Sequence, residues 1–60
     1  MSTTSRACYW TDDRGAEVRL TGPEHAHLPD DELEASARAE AEHVGLDLSY
    51  GRLVIGDWTD

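Results

Sequence analysis

Hydrophobic and polar residues change their spacing several times along this chain, and each change marks an element. Arg6-Ala7-Cys8-Tyr9-Trp10-Thr11 is rich in aromatic and strand-forming residues. Glu17-Val18-Arg19-Leu20 alternates polar and apolar with period two, as a half-buried strand does. Between them, Asp12-Asp13-Arg14-Gly15 supplies turn residues, with Gly15 suited to a positive φ. Strand, four-residue turn and strand predict an N-terminal β-hairpin. Thr21-Gly22-Pro23-Glu24-His25-Ala26-His27 follows as a loop broken by Gly-Pro.

The period then becomes helical. The pattern predicts a helix from Asp30 to Val44, with Pro29 at the N-cap and Leu28 and Leu33 as the two ends of a hydrophobic staple. Asp30, Asp31, Glu32 and Glu34 load its start, where the helix dipole favours negative charge. Arg38 stands four residues from both Glu34 and Glu42 and can pair with either. Gly45 is placed to end the helix in the left-handed conformation, and Leu46 to fold back on the last turn. The predicted buried stripe, Leu33, Ala37, Ala41 and Val44, is thin. Two alanines in mid-stripe imply a helix lying close against a sheet, whose bulk must come from Tyr9, Trp10, Val18 and Leu20.

After the helix, Leu46-Asp47-Leu48-Ser49-Tyr50 alternates, Gly51 can turn, and Arg52-Leu53-Val54-Ile55 is a β-branched run. This segment forms either a second short hairpin or a loop leading into one strand. The expected architecture is α+β, a small ββαβ domain over residues 6–58, preceded by a disordered polar leader at 1–5 and followed by a tail at 59–60. In Leu53-Val54-Ile55, as in Tyr9-Trp10, neighbouring side chains point to opposite faces, so both faces of the sheet carry apolar residues. One helix covers one face only. The other is expected to serve as a contact surface, most simply in a symmetric homodimer, with Tyr9, Trp10, Tyr50, Val54 and Trp58 as the interface residues.

Size strengthens that expectation. A chain of 60 residues buries only about 60% of the surface its unfolded form exposes, so its stability is marginal, and a structural metal and a partner chain are the remedies left to it. The lone Cys8 excludes an intramolecular disulfide and reads as a buried thiol.

Charge changes the picture of the surface rather than of the core. Thirteen Asp and Glu oppose five basic residues for a net charge of −8, and every basic residue is arginine. With lysine and phenylalanine absent and alanine plentiful, the composition resembles proteins adapted to concentrated salt, although a GC-rich mesophile also exchanges lysine for arginine and alanine. Concentrated salt screens self-repulsion and strengthens apolar association, which a hydrated carboxylate shell resists. The charge argues against a direct nucleic-acid partner, since no basic stripe is present to meet phosphates. The longest apolar run, Leu53-Val54-Ile55, is too short for a membrane, and no signal peptide opens the chain, so the expected address is cytoplasmic.

Candidate chemistry is sparse. Cys8, His25, His27 and His43 are the residues of transition-metal type, and His25-Ala26-His27 could aim two rings at one ion. Zinc sites show two close-spaced pairs, and here there is one, so these four are weak metal candidates. A Cys8–His nucleophile pair lacks any nearby oxyanion hole. Paired carboxylates such as Asp12-Asp13 and Asp30-Asp31 read as solvated surface. No cofactor and no catalytic residue is expected. The leading reading is a non-enzymatic interaction or regulatory module. The alternatives are an acidic DNA-mimic or antitoxin-like inhibitor of a basic nucleic-acid-binding protein, and a small zinc-binding protein.

Overall fold

The computed structural model describes residues 4–59. Three strands and one long helix follow the order β1 (Thr4–Thr11), β2 (Glu17–Arg19), a 3₁₀ turn (Pro23–His25), α1 (Asp30–Val44) and β3 (Arg52–Thr59). The molecule is a small α+β domain of ββαβ order. The strands form one antiparallel sheet in the order β2-β1-β3, so the first strand of the chain lies in the middle.

Local chemistry explains the hairpin. Asp12 Oδ1 accepts hydrogen bonds from the backbone N–H groups of Arg14 (2.9 Å) and Ala16 (3.0 Å). Gly15 adopts φ +84°, where a side chain would be strained. The turn sets the register Tyr9↔Arg19, Trp10↔Val18 and Thr11↔Glu17. Just past β2, Thr21 is buried, and its hydroxyl accepts from Cys8 N–H at 2.9 Å, which satisfies a polar group that burial would otherwise penalise.

The helix occupies the predicted range. Pro29 caps it in an extended conformation, and Gly45 ends it at φ +77°. Gly45 N–H bonds to Glu42 O at 3.3 Å and Leu46 N–H to Ala41 O at 2.8 Å, the paired bonds of a Schellman motif. Leu33, Ala37 and Ala41 are fully buried, as the thin stripe requires. Val44 is not; it is 58% exposed. The reversal at Gly45 brings Leu46 back onto the core in its place. Arg38 pairs with Glu34, Nη2 to Oε1 at 2.9 Å, rather than with Glu42.

The segment after the helix is a loop and one strand, not a second hairpin. Asp47 Oδ1 accepts from Ser49 N–H and Oγ–H at 2.8 and 2.6 Å, and these bonds hold its carboxyl below the usual carboxylate range. The indole Nε1 of Trp10 donates to Tyr50 O at 2.6 Å, fastening the loop to the central strand. β3 then pairs with β1 without interruption from Thr11↔Arg52 to Thr4↔Thr59. Thr4 and Ser5, expected in the polar leader, therefore belong to β1, and Thr59, expected in the tail, belongs to β3. The rest of the leader, residues 1–3, and Asp60 lie outside the described residues.

Alternation along the strands sorts side chains between two faces. Cys8, Trp10, Leu20, Leu53 and Ile55 meet Leu33, Ala37 and Ala41 in the core under the helix, with Leu28, Leu46 and Leu48 closing its margins. Arg6 straps the helix entry to β1. Its guanidinium pairs with Asp30 and donates to the carbonyls of Leu28 and Ala26. Among the described residues no helix is long and apolar enough to cross a membrane.

Candidate interaction surface

The sheet face turned away from α1 is built by the other parity of each strand. β1 contributes Ser5, Ala7, Tyr9 and Thr11, β2 contributes Glu17 and Arg19, and β3 contributes Arg52, Val54, Gly56 and Trp58. No described helix or strand lies over this face. Its centre is made of two small residues, Ala7 opposite Gly56. Tyr9 and Trp58 lean together across them, ring centroids 5.2 Å apart and planes tilted by 56°, a favourable aromatic geometry. A Cβ at Gly56 would lie 3.9 Å from the Tyr9 hydroxyl, an ordinary contact, so the tyrosine side chain passes directly over this position. Arg19 lies along the same face, its Nε donating to Thr21 O at 2.8 Å and its Nη2 to Ser5 Oγ at 3.3 Å. These side chains leave Ala7 with no exposed surface.

Charge is distributed unequally between the surfaces. Asp30, Asp31, Glu32, Glu40 and Glu42 are exposed on the helix, and Asp13 and Asp47 on the loops. Among the described strand residues of the open face, Glu17 is the one carboxylate, against Arg19 and Arg52. A chain of net charge −8 has thus withdrawn its acid from one surface, the aromatic one.

Of the five residues expected at an interface, the structure brings three together here: Tyr9, Val54 and Trp58, all half-buried. Trp10 is corrected to the core. It is 9% exposed, on the helix side of the sheet, with its indole N–H bound to the Tyr50 carbonyl. Adjacent aromatics on one strand must face opposite ways, so Tyr9 and Trp10 could not share a surface. Tyr50 is 70% exposed on the loop at the end of the sheet, apart from the open face. Sequence reasoning missed Arg19, because an isolated arginine in an alternating strand carries no mark of the backbone carbonyl it will bind.

The metal candidates do not assemble. Cys8 is buried beneath the helix, and burial, followed by the negative charge of Glu34, pushes its thiol pKa up from 9.0. His25 lies in the 3₁₀ turn, with Nδ1 shielded from solvent and 3.4 Å from Glu24 Oε1 without an aligned hydrogen bond. His27 is exposed beyond that turn, and His43 is exposed in the last turn of α1. Among the described residues, no three His, Cys, Asp or Glu side chains come together to hold a metal ion.

A cleft of about 490 Å³ opens between the hairpin turn and the loop before β3, lined by Trp10, Leu46 and Tyr50 with Asp12, Asp13, Arg14 and Asp47. Asp12 and Asp47 are both engaged in shaping their own loops through backbone N–H groups. The cleft brings no nucleophile beside a base.

No family model, no curated protein and no solved structure matches the chain.

Proposed function

We propose that this chain is a non-catalytic protein-interaction module that works as a homodimer and presents the open face of its sheet as a recognition surface. One observation carries the reading: the face left bare by the helix holds the Tyr9–Trp58 pair and Val54, and is nearly free of the carboxylates that crowd the rest of the surface. Aromatic residues dominate interface energetics, and charged groups are depleted from interface cores. A solvated face of a −8 protein has no need of that depletion. The acidic remainder suits a salt-rich interior. At about 1 M salt the Debye length falls to about 3 Å, so two such copies approach without long-range repulsion.

Sedimentation equilibrium of the full chain in 2 M KCl, from a few micromolar to several hundred, tests the reading. A dimer mass over that range is expected. A monomer mass at the highest concentration would sink the homodimer.

A further inference from the structure

Two copies could meet face to face over the aromatic surface or side by side along a strand, and the hydrogen-bond pattern distinguishes the two. Leu20 N–H donates to Cys8 O, Cys8 N–H donates to Thr21 Oγ1, and Asp12 N–H donates to Ala16 O. The backbone groups of the even residues of β1 therefore aim toward β2. In an antiparallel ladder these directions alternate, so Ser5, Ala7, Tyr9 and Thr11 aim toward Trp58, Gly56, Val54 and Arg52 of β3. That leaves the backbone N–H and C=O groups of Leu53, Ile55 and Asp57 directed to the outer side of β3, where the sheet has no further described strand.

This edge is only lightly protected, by the charges of Arg52 and Asp57. The opposite edge, β2, is only three residues long. β3 runs for eight residues, contains neither proline nor lysine, and keeps an unbroken register with β1, without a bulge. Short strands, bulges, proline and lysine are the devices that keep edges from pairing. The open face, by contrast, is already partly covered by its own side chains, as the fully buried Ala7 records.

Resting on the reading that the chain self-associates, we propose that two copies join along the free edge of β3, antiparallel, into one six-stranded sheet. The second copy fits this edge by charge and by parity. Antiparallel pairing carries the two Asp57 carboxylates, and likewise the two Arg52 guanidiniums, toward opposite ends of the joined strands, whereas in-register parallel pairing would set like beside like; Arg52 and Asp57 themselves lie on opposite faces of the sheet. The strand carries one arginine and one aspartate, so it is a balanced line of approach on a strongly acidic molecule. The residues with outward backbone groups also carry their side chains on the helix side, so Leu53, Ile55 and Asp57 must pair among themselves. Both helices then lie on one side of the joined sheet and both Tyr9–Trp58 pairs on the other. With Ile55 on the two-fold axis, Arg52 stands opposite the partner's Trp58, a cation–π arrangement, and Val54 stands opposite the partner's Gly56.

The test compares the sedimentation of wild type, Asp57→Pro and Tyr9→Ser in 2 M KCl, with far-UV circular dichroism to check folding. Asp57 is exposed and its N–H points outward, so proline there blocks the edge without removing a bond of the β1–β3 ladder. Tyr9→Ser strips the open face on the central strand and leaves the outward backbone groups of β3 intact. The expected result is a dimer for wild type and Tyr9→Ser, and dissociation at least about tenfold easier for Asp57→Pro. A dimeric Asp57→Pro beside a monomeric Tyr9→Ser overturns the edge and moves the dimer to the face; a monomeric wild type overturns self-association itself. Should a variant fail to fold, amide exchange of wild type across a dilution series decides. Protection of Leu53, Ile55 and Asp57 amides that rises with concentration is expected, and concentration-independent exchange there refutes the edge.

Discussion

Gly51 allows a sharp test of how the loop is fitted to the sheet. It adopts φ +66°, and a Cβ placed on it would collide with Thr11 O and lie 2.8 Å from Trp10 Nε1. Gly51→Ala therefore meets two penalties. The left-handed backbone costs a residue with a Cβ about 1–2 kcal/mol. The contact is with backbone and a buried indole, neither of which can swing away, and overpacking of this kind costs about 1–3 kcal/mol. Displacing the indole also weakens its bond to Tyr50 O, worth about 1 kcal/mol. The sum is about 3–6 kcal/mol, against a total stability of about 3–9 kcal/mol for a domain of this length. Gly15 and Gly45 are the internal controls. Their φ values are +84° and +77°, yet a Cβ at either has nothing within 4 Å, so alanine there meets the backbone penalty alone. Urea unfolding followed by tryptophan fluorescence in molar KCl should place Gly51→Ala at least about 2 kcal/mol below both controls. If all three variants agree within about 0.5 kcal/mol, the crowding at Thr11 and Trp10 is not real and the reasoning fails.

Two further outcomes are expected. Burial raises the Cys8 pKa above its unfolded value of 9.0, so the folded state prefers the neutral thiol. The stability this confers is fully present below pH 9 and is lost as pH rises through the folded value. Urea midpoints measured from pH 8 upward should fall less steeply for Cys8→Ala than for wild type, and parallel curves would contradict the assignment. A chain with eight excess negative charges should also gain helical signal and thermal stability between dilute buffer and several molar KCl. Full structure with an unchanged midpoint in dilute buffer would remove the argument for adaptation to salt.

The hairpin and the helix were legible in the sequence because their signals are local. Asp12 and Gly15 act within one turn, and Pro29, Leu33 and Gly45 act within one helix. What lay beyond reach was set by pairing between distant segments. Nothing near Thr4 announces that Thr59 will extend its strand, and nothing near Tyr50 announces that its carbonyl will receive an indole N–H from a residue 40 positions earlier in the chain. Val44 shows the same limit on a smaller scale. Its spacing from Leu33 is helical, but the Gly45 reversal hands its place to Leu46. At the candidate surface, Tyr9, Val54 and Trp58 were recoverable from alternation. Trp10 was misplaced because strand parity assigns opposite faces to neighbours without telling which of them the helix covers.

The position of β1 in the middle of the sheet has a consequence for how the chain comes to be folded at all. Of the described strands, the first in chain order acquires its longer partner only when the last arrives, across contacts reaching 55 residues in separation at Thr4 and Thr59. Until then the hairpin has a single short neighbour strand, Trp10 has no carbonyl to bind, and the alanine stripe of α1 has only half a sheet to lie on. Such closure over nearly the whole chain is slow compared with local helix packing. It also makes β1, which touches β2, β3, α1 and the 3₁₀ turn, the strand through which the described elements are tied together.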